Sequence, residues 1–136
     1  KSNHVPFIVV APGVTGEGVR CVRPVDLSVI YPTLLELCGL PEEKCDGRSA
    51  VPLLRDSDSE WKHPALMTYG RGNHAVRSER WRYIRYADGS EELYDHDVDP
   101  HEWSNLARRD EYDSVKESHR SWLPSKEAKE VAGLKR

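Results

Sequence analysis

The chain has 136 residues, three cysteines and a net charge of −3, with 38% hydrophobic and 32% charged residues. That suffices for one ordinary domain or a piece of a larger one, and the lack of a basic excess argues against nucleic-acid binding. Four Trp, six Tyr and scattered Leu, Ile and Val argue against disorder throughout, and no apolar run approaches the roughly 18 residues of a membrane span.

Lys1-Ser2-Asn3-His4 has no signal-peptide pattern and leads straight into an apolar run, as expected of a chain cut from something longer. That run, HVPFIVVAPG (residues 4–13), reads as a strand over 5–10. Its hydrophobicity is continuous rather than alternating, so both faces should be covered, with the missing layer upstream. Residues 14–24 are Gly-rich and charged, hence a surface loop. A helix is expected over 26–39, with Leu27, Ile30, Tyr31, Leu34 and Cys38 on one face, and a restart near Pro32. Asp26 can cap it, and Gly39 with Pro41 stops it. Residues 46–54 read as a turn and a short apolar anchor, and 55–63 as a polar loop.

The period then changes. Residues 64–70, 73–78, 80–86 and 91–96 are short strand-like runs, which predicts an antiparallel sheet of about four strands. Asp88-Gly89 between the last two signals a hairpin with a primed turn. Asp99-Pro100 makes a turn, and one helical turn is expected over 101–107. A helix over 110–124 carries Tyr112, Val115, His119 and Trp122 as an apolar stripe that can cover one sheet face. Residues 125–136 are charged and read as a flexible tail.

Cys21, Cys38 and Cys45 lack zinc-type spacing. Three part-buried thiols and a Cys38–Cys45 bridge are both compatible with the pattern. Asp95, His96, Asp97, Asp99, His101 and Glu102 crowd one short stretch, but successive side chains on an extended segment point to opposite faces. No tightly held metal is expected there. The loop Gly70-Arg71-Gly72-Asn73-His74 sets anion-binding side chains between glycines. Arg offers a fork for sulfate or carboxylate, and His a second donor. Arg71, Asn73 and His74 are therefore the candidate substrate-binding residues; the competing reading is an internal pair with an acidic neighbour such as Glu79. No serine elbow, phosphate-cradling loop, Cys-His pair or helix-borne His pair occurs, so no catalytic residue is assigned.

Four stretches, taken in order, carry a resemblance: HVPFIVVAPG; RPVDLSVIYPTLLELCGLP with DGRSAVPLL; YGRGNHAVRSERWRYIRYADG; and ELYDHDVDPHEWSNLA. Over residues 1–107 the chain resembles the C-terminal portion of a sulfatase of the alkaline-phosphatase-like superfamily, near the iduronate-2-sulfatase-like group. The resemblance implies an α+β piece of that α/β fold. Residues 1–62 would end the main domain, 63–124 would form a C-terminal subdomain, and the sheet would line one side of the substrate cleft. It also implies a parent enzyme that hydrolyses sulfate esters with a formylglycine and a calcium ion. That group is made in a C/S-x-P-S-R motif, and none of the three cysteines sits in one. Nor does Lys1 have the context of the family's last catalytic lysine. The chain alone is expected to be inactive and to bind neither cofactor. Its expected partners are the rest of the sulfatase and a sulfated sugar or other sulfated small molecule, in a periplasmic, secreted or lysosomal setting. Two alternatives stand: a phosphodiesterase or phosphonate hydrolase of the same superfamily, and a non-catalytic carbohydrate-binding or interaction module.

Overall fold

The computed structural model describes residues 4–129. Lys1 and the end of the expected tail, 130–136, lie outside the described residues. The chain divides into two compact units, Lys1–Arg23 with Leu27–Lys62, and Pro24–Asp26 with His63–Arg136.

In the first unit a short 3-10 turn, Leu27–Val29, runs into helix α1, Ile30–Leu37. Pro32 falls in the first turn of α1, where its missing N–H costs nothing, so the restart expected there takes the form of this 3-10 to α junction. Helix α2, Val51–Arg55, follows with Pro52 near its start. It is a single short element that the sequence reading takes only as an apolar anchor. One hydroxyl joins the two helices. Thr33 is buried, its Oγ1 donates to the Val29 carbonyl at 2.6 Å, and it accepts the Ala50 N–H at 2.8 Å. Val29, Val51 and Leu53 are buried around this link.

Residues 4–11 form no strand among the described residues, contrary to the expectation over 5–10. A strand exists only through hydrogen bonds to a neighbouring strand, and the sheet of the described residues does not include this run. Val5, Phe7, Ile8 and Val10 stand exposed, Ile8 at 83%. All three cysteines are free and exposed, so neither the bridge nor the part-buried state is formed.

The second unit is a four-stranded antiparallel sheet in the order β1-β2-β3-β4: Ala65–Thr68, His74–Arg77, Trp81–Arg85 and Glu91–Asp95. Opposite residues share a face, so the pairs Thr68↔His74, Val76↔Tyr83 and Tyr83↔Leu93 define the covered side. The core on that side is Tyr83, Leu93, Leu106 and Ala107, with Trp81, Tyr112, Val115 and Leu123 packed against it. Helix α3, Asp113–Arg120, follows a 3-10 turn, Asp110–Tyr112, and supplies Val115. The expected stripe is realised except that Trp122 lies partly exposed, edge-on to His63.

The β3–β4 hairpin closes as a type I turn followed by a left-handed glycine rather than as a primed turn. Gly89 N–H donates to the Tyr86 carbonyl, Tyr86 N–H to the Ser90 carbonyl, and only Gly89 there has positive φ, +84°. The helical turn expected over 101–107 is absent. Glu102 takes φ +61° instead. Its carboxylate accepts two hydrogen bonds from Arg82 at 2.9 Å and faces His96 Nε2 at 2.8 Å, which holds the segment out of a helix.

Both outer strands have partners along their free edges. On β1 the Leu66 N–H donates to Asp26 Oδ2 at 3.0 Å. On β4 the Asn105 side chain imitates a strand: Oδ1 accepts the Leu93 N–H at 3.1 Å and Nδ2 donates to the Glu91 carbonyl at 3.3 Å. Leu106 N–H then donates to the Leu93 carbonyl at 2.9 Å.

Candidate functional site

The loop joining β1 to β2 is shaped by Gly70 and Gly72, with φ of +72° and +77°. Gly72 is constrained twice, because a Cβ there would also lie 3.1 Å from the Ala87 Cβ. Asn73 fixes this approach. Its Nδ2 donates to the Arg71 carbonyl at 3.2 Å and its Oδ1 accepts the Ala87 N–H at 3.2 Å. The tips of two hairpins are thereby joined.

These tips, with the chain leaving α3, enclose a cleft of about 440 Å³ lined by Arg71, Gly72, His74, Arg85, Tyr86 and Glu127 among others. Arg71 and Arg85 are exposed; no described residue hydrogen-bonds either guanidinium, and the Arg71 charge helps to lower the Glu127 carboxyl. His74 is different: only 5% exposed, with both ring nitrogens engaged. Nε2 lies 2.7 Å from Glu127 Oε1, and Nδ1 lies 2.9 Å from Thr68 Oγ1. A carboxylate only accepts, so Nε2 carries the proton and donates. Glu127 Oε2 also accepts the Gly72 N–H at 3.3 Å. The His74 hydrogen bond is the main cause holding the Glu127 carboxyl below its usual range.

The three residues singled out by sequence thus come together with different roles. Arg71 reaches into the cleft. Asn73 holds the loop, and His74 is a buried ring showing one N–H to the cleft. His74 does pair with an acid, but with Glu127 rather than Glu79. Sequence reasoning missed Arg85 and Glu127. Arg85 could have been found, since it sits opposite His74 once β2 and β3 are paired. Glu127 lies 53 residues from His74, and no local signal links them.

The acidic stretch from the end of β4 onward is occupied by internal contacts. Asp95, 3% exposed, accepts two hydrogen bonds from Arg80, and chiefly for that reason its carboxyl is held low. Burial pushes the Glu102 carboxyl up, but the hydrogen bonds with Arg82 and His96 prevail and leave it below its usual value. Asp99 accepts the Ser104 N–H. Among the described residues no group of three or more His, Cys, Asp or Glu side chains could hold a metal ion. With exposed cysteines outside any formylglycine motif, the described residues do not fit a resident calcium or a formylglycine.

Residues 1–129 match the family described as N-sulphoglucosamine sulphohydrolase, C-terminal. A sulfatase of Formosa agariphila is 37% identical over 129 residues, covering 94% of this chain and 25% of that protein. A solved 2-O GAG sulfatase is 29% identical with a TM-score of 0.53, covering 66% of this chain and 22% of that one. A phosphonate monoester hydrolase of Agrobacterium radiobacter is 26% identical with a TM-score of 0.53, covering 68% and 23%. The chain spans about a quarter of the length of the curated relatives it matches. The matching family carries the N-sulphoglucosamine name rather than that of the iduronate-2-sulfatase-like group. On sequence and fold together, the chain belongs to the C-terminal family of the N-sulphoglucosamine sulphohydrolases.

Proposed function

We propose that this chain is the part of a sulfuric ester hydrolase that completes the scaffold and forms one wall of a cleft for sulfated carbohydrate. Residues 1–62 would close the main domain and the sheet unit would carry the cleft wall. The rest of the sulfatase is its partner and supplies the formylglycine nucleophile and the calcium site. The observation that carries this reading is the pair of guanidinium groups, Arg71 and Arg85, exposed at one cleft with no hydrogen bond to either from a described residue. Such forks bind sulfate or carboxylate through paired, charge-assisted hydrogen bonds. Asn73 fixes the loop from which Arg71 projects, and His74 presents one ring N–H to the same cleft. A periplasmic, secreted or lysosomal setting goes with this reading.

The test is Arg71→Ala in the full-length parent enzyme. kcat/KM on a sulfated sugar should fall roughly tenfold or more while the melting temperature stays put. A normal kcat/KM would remove Arg71 from the substrate wall. The 136-residue chain alone should not turn over an aryl sulfate with calcium present; turnover abolished by mutating one of its own residues would refute that.

The similarity to a phosphonate monoester hydrolase supports a second reading, in which the parent cleaves phosphonate esters or phosphodiesters. The two are separated by the ratio of kcat/KM for an aryl sulfate and an aryl phosphonate measured on the same parent enzyme.

A further inference from the structure

The cleft already contains an anion, and it belongs to the chain itself. We propose that Glu127 occupies an oxyanion subsite formed by the His74 Nε2–H, the Gly72 N–H and the Arg71 guanidinium. A sulfate or carboxylate group of an acidic sugar displaces it on binding. This rests on the reading of the cleft as a substrate wall and adds to it a subsite, its donors and a built-in competitor.

The donors and the acceptor are held very differently. His74 is 5% exposed, lies within β2, and has its ring turned by Thr68 so that only Nε2 faces the cleft. Gly72 presents its N–H from a loop tied down by Asn73. These groups stay in place whether or not Glu127 is there. Glu127 itself lies beyond the end of α3, after the anchor that Leu123 makes against the core, in a segment without helix or strand. Its side chain is about a third exposed, at 32%. Moving it away breaks two hydrogen bonds, at 2.7 and 3.3 Å, and little packing.

Displacement would leave a buried imidazole N–H and a backbone N–H facing the cleft, and such donors are costly to leave unmet. It would also leave Arg71 without the negative charge of Glu127. A carboxylate or a sulfate offers paired oxygens at the spacing of the departing group, so either satisfies the same two donors. A neutral sugar hydroxyl would satisfy one donor and leave the charge uncompensated.

The experiment uses the full-length parent protein labelled with 15N-glycine, observing the Gly72 amide during titration with inorganic sulfate and, separately, glucuronate. Glu127→Ala, and the near-isosteric Glu127→Gln in case the alanine variant does not fold, should tighten binding of at least one probe by roughly tenfold. Adding Arg71→Ala to either variant should abolish the response. Which probe moves Gly72 distinguishes a sulfate from a carboxylate subsite. A Gly72 amide silent to both probes, or weaker binding in both Glu127 variants, overturns the proposal. If Arg71→Ala still lowers kcat/KM in that case, the cleft wall stands and only the subsite falls. If Arg71→Ala changes nothing, the wall itself falls.

Discussion

The two units of this chain differ in how much of their apolar surface they cover. The sheet unit buries Tyr83 and Leu93 completely and closes its core with α3 and the segment around Leu106. The unit formed by Lys1–Arg23 and Leu27–Lys62 leaves Val5, Phe7, Ile8, Val10, Val22, Leu27 and Leu34 exposed. The sheet contains its own reason to fold. The other unit has a small core around Thr33 and a run of exposed apolar side chains of the kind that marks an interaction surface. Under the proposed function, the rest of the sulfatase would lie against that exterior.

The sharpest way to break this comparison is a pair of truncations measured by urea unfolding of the chain. Leu93→Ala should cost about 2–5 kcal/mol, the range for a large-to-small change in a packed core. Ile8→Ala should change stability by less than about 0.5 kcal/mol here, as surface substitutions do. In the full-length parent, Ile8→Ala should cost as much as a core truncation. Equal costs for the two substitutions in the isolated chain would mean that the apolar run is already packed.

A smaller effect sharpens the account of the cleft loops. Gly72→Ala and Gly89→Ala both place a side chain in the left-handed region, which costs about 1–2 kcal/mol. Gly89 has open space around it, whereas Gly72 also meets Ala87. Gly72→Ala should therefore be the more destabilising by thermal melting, and it should also disturb the Asn73 contacts. Equal melting temperatures would show that the two hairpin tips can move apart freely.

The smallest effect is a pH dependence confined to the sheet unit. Burial pushes the His119 pKa below its ordinary value. Its Nδ1–H donates to the Val115 carbonyl, and its Nε2 accepts from the Ser78 hydroxyl. The folded state therefore binds the proton less readily than the unfolded chain does. The stability of the neutral form is fully present above the unfolded value of about 6.5 and is lost as pH falls from there through the lower folded value. Urea midpoints measured between about pH 7.5 and 5.5 should decline, and His119→Gln should flatten the decline. An unchanged slope in that variant would assign the effect to another group.

What could be read from sequence follows the range of the interactions involved. All four strands and the β3–β4 hairpin were legible, because alternation and Asp88-Gly89 act within a few residues. The helix containing Pro32 was legible too, since its apolar period and its stop signals are local. Helix α2 was missed because five residues carry no period. The expected turn at 101–107 gave way to Glu102, whose conformation is set by Arg82, twenty residues away. The cleft was half legible. The Gly70-x-Gly72 pattern marked the loop and Arg71, but Arg85 needed the strand register and Glu127 needed the whole path of the chain.

The two side chains along the outer strands have a consequence for how this chain behaves in concentrated solution. Open strand edges pair with those of other molecules and are the usual starting points of fibrils. Asp26 meets the Leu66 amide on one side, and Asn105 meets both a donor and an acceptor of β4 on the other. Both residues act as stoppers against edge-to-edge pairing of one sheet with another. Losing either would barely alter the core, yet it would expose a template along which copies could polymerise.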